Sequence, residues 1–195
     1  LCTCGASMGD QYGPMLIARE AKPLASFEEK SIAVPGTRTT AYLALRLCLG
    51  DAFQHVVVPF DQILDVVVAG QYEGTPIDAG LIIHESRFTY QDHGLVQVID
   101  LGDWWERDTG LPVPLAGICA RADLDPALAD AAEHAIRASV AHAFAHREAS
   151  RAYVRANAQE MSDEVCDRHI ALYVNAHSLD VGDEGLRAIA RLVAS

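Results

Sequence analysis

With 195 residues, half of them hydrophobic and 22% charged, the chain has a globular profile and room for one large domain or two small ones. No run approaches the roughly 18 consecutive apolar residues that span a bilayer, which argues against a membrane role. A net charge of −12, from 15 basic and 27 acidic residues with no basic cluster, argues against nucleic acid as a partner.

The opening, Leu1-Cys2-Thr3-Cys4, resembles neither a signal peptide nor a disordered leader, so the chain is expected to begin within a fold. Gly5, Gly9 and Gly13 then punctuate a stretch read as a cleft-edge or plain surface loop, because their spacing is wrong for a dinucleotide fingerprint. Residues 15–19 form a strand and residues 20–30 a polar connection. Residues 31–34 form a buried strand that stops at the turn dipeptide Pro35-Gly36, and a helix opens at Thr39-Thr40 and ends at Gly50. Residues 55–58 make a β-branched strand ended by Pro59. Ile63, Leu64, Val66 and Val67 then lie at helical spacing ahead of Gly70. Residues 79–83 and 95–101 are two further strands. This alternation implies a mainly parallel sheet with helices on both faces.

After the breaker Gly110-Leu111-Pro112-Val113-Pro114, residues 115–121 return as a strand, and only helices follow. Asp125-Pro126 starts a long one to about His146, a second covers 149–159, Ser162 caps a third, and Gly182-Asp183 precedes the last. Leu128, Ala132, Ile136, Val140 and Phe144 give the long helix an apolar face that must bury against something.

The five cysteines stand at positions 2, 4, 48, 119 and 166, with Cys2 and Cys4 too close for the usual zinc or redox spacing. An odd count without a pairing pattern suits a reducing compartment, so a cytoplasmic location is expected. His142 and His146 could face one metal, but no third ligand accompanies them, and no metal site is expected. Trp104-Trp105 would wall a cleft or anchor a partner, with burial the plainer reading.

Two stretches could carry chemistry. In Pro35-Gly36-Thr37-Arg38-Thr39-Thr40-Ala41 a strand ends, a turn follows and a helix begins, leaving free backbone N–H groups that attract an anion such as a carboxylate. Plain N-capping by Thr39 explains the same residues. In Gly80-Leu81-Ile82-Ile83-His84-Glu85-Ser86-Arg87-Phe88-Thr89-Tyr90 an apolar strand delivers His84 at its carboxyl end, where ligands bind in open α/β sheets. Histidine can take a proton near neutral pH without a metal, although a strand-end histidine also occurs as a structural residue. Ser86 and Arg87 would hold an acid group or form a solvated turn.

The second stretch resembles the signature of the 1,4-dihydroxy-6-naphthoate synthases. So do Val34-Pro35-Gly36-Thr37-Arg38-Thr39-Thr40-Ala41-Tyr42, Asp100-Leu101-Gly102-Asp103-Trp104-Trp105, Gly110-Leu111-Pro112-Val113-Pro114-Leu115, and Tyr173-Val174-Asn175 with Ser178-Leu179-Asp180. The resemblance runs through nearly the whole chain. It implies an α/β, bilobal, periplasmic-binding-protein-like (type II) fold with mixed sheets flanked by helices. It also implies a cofactor-free carbon–carbon lyase of menaquinone biosynthesis acting on cyclic dehypoxanthinyl futalosine. The proton acceptor carries over to His84, and substrate binding to Thr40 and Ala41, with Thr39 beside them; Arg87, from its own chemistry, is expected as a further substrate ligand. The partner implied is a small molecule bearing a carboxylate, and a homodimer is compatible with it.

On this reading residues 1–30 and 109–195 belong to a first lobe with its hinge strands, and residues 31–108 form a second α/β lobe. The family's first segments are missing, so the first lobe is incomplete and the chain alone is expected to be inactive, poorly behaved or partnered. Residues 71–76 look like an insertion ahead of the strand bearing His84. Two neighbouring readings share the fold. A non-catalytic solute-binding protein for a small carboxylate has no need of a histidine at the cleft, and a chorismate dehydratase-like enzyme lacks the His84-Glu85-Ser86-Arg87 pattern.

Overall fold

Met15–Ala18 and Ala79–Ile82 are buried at every position and Ser31–Val34 at all but the first, and runs without a polar face belong in the interior of a sheet. The computed structural model, which describes residues 1–158 and 162–195, places them there. In chain order the strands are β1 (Ser7–Gly9), β2 (Met15–Ala18), β3 (Ser31–Val34), β4 (Gln54–Val57), β5 (Gln71–Tyr72), β6 (Thr75–Pro76), β7 (Ala79–Ile82), β8 (Val96–Asp100) and β9 (Val113–Ala116). The α-helices are α1 (Thr40–Leu49), α2 (Ile63–Ala69), α3 (Ser86–Thr89), α4 (Leu101–Thr109), α5 (Pro126–Ala145), α6 (Arg151–Asn157), α7 (Asp163–Tyr173), α8 (Ala176–Leu179) and α9 (Gly182–Val193).

The chain divides into two units, Leu1–Gly9 with Pro114–Ala194, and Asp10–Val113. The boundaries therefore fall at 9/10 and 113/114 rather than at 30/31 and 108/109. The reason is β2, which is an interior strand of the second unit's sheet and takes its flanking residues with it.

That sheet has the order β4-β3-β7-β2-β8. β3 runs parallel to β4 and β7, while β2 lies antiparallel to both β7 and β8. Four strands thus share one direction and β2 alone opposes them. Alternate residues point to opposite faces. Leu16, Ile32, Val34, Ala79 and Leu81 meet Ala44, Leu45 and Leu101 on one face, and Met15, Ile17, Ala33 and Ile82 meet Ile63, Val66 and Val67 on the other. Helices α1 and α4 cover the first face and α2 the second. Gly80 lets α2 lie directly on β7, since a Cβ there would stand 2.5 Å from Val67 Cγ2 and 2.7 Å from Ile63 Cγ2. A parallel α/β run with one opposed strand inserted from elsewhere in the chain is the type II periplasmic-binding-protein-like arrangement.

Residues 71–76 form the hairpin β5–β6, turned by Glu73 (φ 47) and Gly74 (φ 83), the left-handed pair that a two-residue hairpin loop requires. In the other unit β1 pairs with β9. The expected glycine-punctuated loop is thus in part a strand, with Met8 0% exposed. The strand expected at 115–121 is β9, which ends at Ala116 and leaves Cys119 exposed outside it. Ser162 caps α7 through Val165 N–H, and Asn175 with Ser178 forms a capping box at α8. The helix expected at 149–159 is present as α6, although its expected end at Gln159 lies outside the described residues. α5 has no buried residue: Leu128 is 56% exposed, and Ile136, Val140 and Phe144 are half-buried. An apolar face that lacks its partner sheet is expected to stay uncovered, and none of its residues is buried among the described ones. None of these helices is long and apolar enough to cross a membrane.

Candidate active site

Parallel strands deliver their carboxyl ends to one edge of a sheet. The register pairs Val34 of β3 with Val57 of β4, and Ala33 of β3 with Gly80 of β7. The segments that follow, residues 35–39, 58–60 and 83–85, therefore leave from the same edge. The rings of Phe60 and His84 meet there edge-on, with centroids 5.4 Å apart and planes at 69°.

His84 has φ 57, in the left-handed region. For a residue carrying a Cβ this conformation costs about 1–3 kcal/mol and persists only where the surroundings impose it. Here the buried strand β7 ends just before the turn, and α3 begins two residues later with the buried Ser86. The left-handed residue reverses the chain sharply and leaves His84 exposed at the sheet edge. An imidazole so held can accept a proton from a ligand lying over that edge.

Beside it, α1 begins at Thr40. Thr39 Oγ1 accepts from Tyr42 N–H at 3.1 Å and donates to the Gly36 carbonyl at 2.9 Å. Thr39 thus serves as the cap. That capping satisfies the third N–H of the helix and leaves the N–H groups of Thr40 and Ala41 with no acceptor among the described residues. The two readings of this segment are therefore compatible. The threonine closes the turn, while the two amides and the positive end of the helix remain for an anion.

Arg87, expected as a substrate ligand, is engaged within the protein. Its Nη1 donates to the Gly13 carbonyl at 2.9 Å and to Asp100 Oδ2 at 3.0 Å, and its Nη2 donates to the same Asp100 oxygen at 2.7 Å. The guanidinium also lies over the Tyr12 ring, 5.6 Å from its centroid. Asp100 uses its other oxygen to cap α4, accepting from Gly102 N–H at 2.9 Å and Asp103 N–H at 3.4 Å. Burial pushes the Asp100 carboxyl above the usual carboxylate range, while Arg87 and the N–H groups of Gly102, Asp103 and Gly13 pull it part of the way back.

The sequence thus brings His84 and residues 39–41 to one edge, and turns Arg87 away to an internal partner. Phe60 is the residue sequence reasoning missed. Its signal was Pro59, which ends a strand in an alternating β–α pattern and so marks another loop at the ligand edge. Trp105 is 1% exposed and donates to the Pro112 carbonyl at 3.2 Å, which is the burial reading, while Trp104 is half-buried. The His142 and His146 rings lie 4.5 Å apart, but no group of three metal-ligating side chains occurs among the described residues.

A family model described as menaquinone biosynthesis matches residues 1–195. A 1,4-dihydroxy-6-naphthoate synthase from Thermus thermophilus is 53% identical over 190 residues, covering 97% of this chain and 67% of that protein. Another protein of that name, from Streptomyces coelicolor, is 45% identical over 199 residues, covering 99% of this chain and 68% of that one. Among solved structures, a crystal structure of a protein from Archaeoglobus fulgidus matches with a TM-score of 0.91 at 35% identity, covering 100% of this chain and 70% of that one.

Proposed function

The chain belongs to the menaquinone-biosynthesis family, and from that premise we propose that it is a lyase releasing 1,4-dihydroxy-6-naphthoate from cyclic dehypoxanthinyl futalosine, with His84 as general base. The substrate carboxylate docks on the N–H groups of Thr40 and Ala41, beside the hydroxyl of Thr39. His84 then removes a proton. The electron pair released forms a new double bond in the ring as the bond to the sugar-derived fragment breaks. The fragment leaves with that bond's pair and takes up a proton, and aromatisation of the ring supplies the driving force. Written this way the step needs a proton acceptor and no added oxidant or reductant. Phe60, packed on His84, offers an apolar surface to the ring that becomes aromatic. We place the protein in the cytoplasm, in keeping with its cysteine usage.

The observation that carries this reading is His84 in a left-handed turn at the same sheet edge as two unsatisfied amides. A base and an anion site are the two parts that such a reaction requires. The test is incubation with the cyclic substrate, following naphthoate absorbance, for the wild type and His84→Ala. Loss of a general base lowers the rate roughly 100-fold to 10,000-fold while leaving affinity within about tenfold. Near-normal turnover in His84→Ala would overturn the assignment.

A further inference from the structure

A left-handed histidine needs something to hold it, and the structure shows what does. β7 fixes the chain before the turn, because all four of its residues are buried. After the turn the chain enters α3, a helix of only four residues whose N-cap, Glu85, makes no side-chain capping bond. One turn of helix has almost no stability of its own. Its far end is anchored by the buried Tyr90. Its near end is anchored by Arg87, the third residue after His84, whose backbone N–H also donates to the His84 carbonyl at 3.4 Å.

The Arg87 anchor is built to hold position. The guanidinium and the Asp100 carboxylate are 17% and 8% exposed, and Asp100 is itself fixed by capping α4. The third tie, the Gly13 carbonyl, belongs to a backbone segment pressed against α4: a Cβ on Gly102 would lie 2.1 Å from the carbonyl carbon and oxygen of Tyr12. Charge-assisted bonds from a planar fork to a fixed carboxylate and a fixed carbonyl define an orientation, as a single flexible contact would not.

We propose that Arg87 is a positioning residue: through Asp100 and the Gly13 carbonyl it holds the turn that keeps His84 left-handed and aimed at the ligand edge. This rests on the reading of His84 as the base. It also removes Arg87 from the substrate's direct ligands. A base displaced by about 1 Å can lose roughly 100-fold in rate with little change in binding, which is the pattern expected of such a residue.

The experiment is a cycle of Arg87→Gln, His84→Ala and the double variant, read by turnover and by the short intraresidue HN–Hα distance that a positive φ gives residue 84 in NMR. Arg87→Gln is expected to lower kcat roughly 10-fold to 100-fold with KM within about threefold, and to weaken that NMR contact. Arg87→Lys, which keeps the charge and loses the fork, should recover only part of the rate. In the His84→Ala background Arg87→Gln should have no further effect on the residual rate. An equal loss in both backgrounds, or a raised KM at unchanged kcat, would overturn the proposal. Should Arg87→Gln fail to fold, Asp100→Asn, which keeps the oxygen that caps α4, is read by the same criteria. If His84→Ala retains full turnover, the general-base reading fails, and the NMR contact alone decides whether Arg87 sets the turn.

Discussion

Replacing His84 by glycine and by alanine gives two proteins that both lack the imidazole and its contact with Phe60. They differ only in a Cβ on a residue with φ 57. That Cβ costs about 1–2 kcal/mol in the left-handed region, and glycine avoids it. Glycine loses more chain entropy on folding, which returns about 0.5–1 kcal/mol to alanine. The net expectation is that His84→Gly is more stable than His84→Ala by about 0.5–1 kcal/mol, while both are catalytically impaired. Urea unfolding resolves this difference, because at a slope of about 2 kcal/mol per molar it moves the midpoint by roughly 0.25–0.5 M. The chain has two units, so the probe must follow the right one. Its two tryptophans, Trp104 and Trp105, both lie in α4 of the unit that carries His84, and their fluorescence serves. An alanine variant as stable as the glycine variant, or more so, would refute the argument that the turn stores strain.

Gly102→Ala pits helix propensity against packing. Alanine is favoured in a helix by about 1 kcal/mol, but its Cβ would meet Tyr12 and Gly13 backbone atoms at 2.1–2.4 Å, so a net loss of about 2 kcal/mol or more is expected in thermal or urea unfolding, and a neutral result would show that the segment yields. Thr39→Ala removes both the acceptor for Tyr42 N–H and the donor to the Gly36 carbonyl, for an expected loss of about 1 kcal/mol; unchanged stability would mean that the cap is not formed. Arg87→Gln leaves Asp100 buried without its cation and should cost about 3 kcal/mol near neutral pH. Burial already raises the Asp100 carboxyl, and losing Arg87 raises it further, so the variant takes up a proton at a higher pH than the wild type. Its stability deficit should therefore be largest above both titrations and narrow as pH falls through them; a deficit that does not narrow as the carboxyl is protonated would exclude Asp100 as the cause.

What could be read in advance follows from where the physics is local. β2, β3 and β7 are apolar runs of strand length, and α1 and α2 end at Gly50 and Gly70, so both kinds of element were legible. α4 was not, because only Leu101, Gly102 and Trp105 of its nine residues are buried and, apart from the half-buried Trp104, the rest are polar. Its caps, Asp100 and Gly110, were the available signal. β1 is a three-residue strand ending in glycine and reads as loop, since its burial comes from β9, more than a hundred residues away. The place of β2 was also hidden. Alternating strands and helices imply parallel neighbours, and nothing local says that an earlier strand enters between the last two in the opposite direction. At the site, the strand-end rule located His84 and residues 39–41. The commitment of Arg87 to Asp100 depends on a pairing of α3 with the end of β8, which spacing does not reveal.

Backbone strain sorts the candidate residues further. Among the described residues three carrying a Cβ have positive φ: Gln11, Glu73 and His84. Glu73 is explained by the two-residue hairpin it turns. Gln11 directs its N–H to Glu106 Oε2 at 2.7 Å, a bond that ties the segment before β2 to α4. His84 differs in kind. Its turn follows a central strand directly, where glycine would give the same backbone without the strain, so the side chain is what the position retains. A structural histidine would justify that strain by burial, yet His84 is exposed, at the edge where the N–H groups of Thr40 and Ala41 have no acceptor among the described residues. Strain kept at an exposed position is the pattern expected where a side chain must meet a ligand, and here the side chain is one that can take a proton.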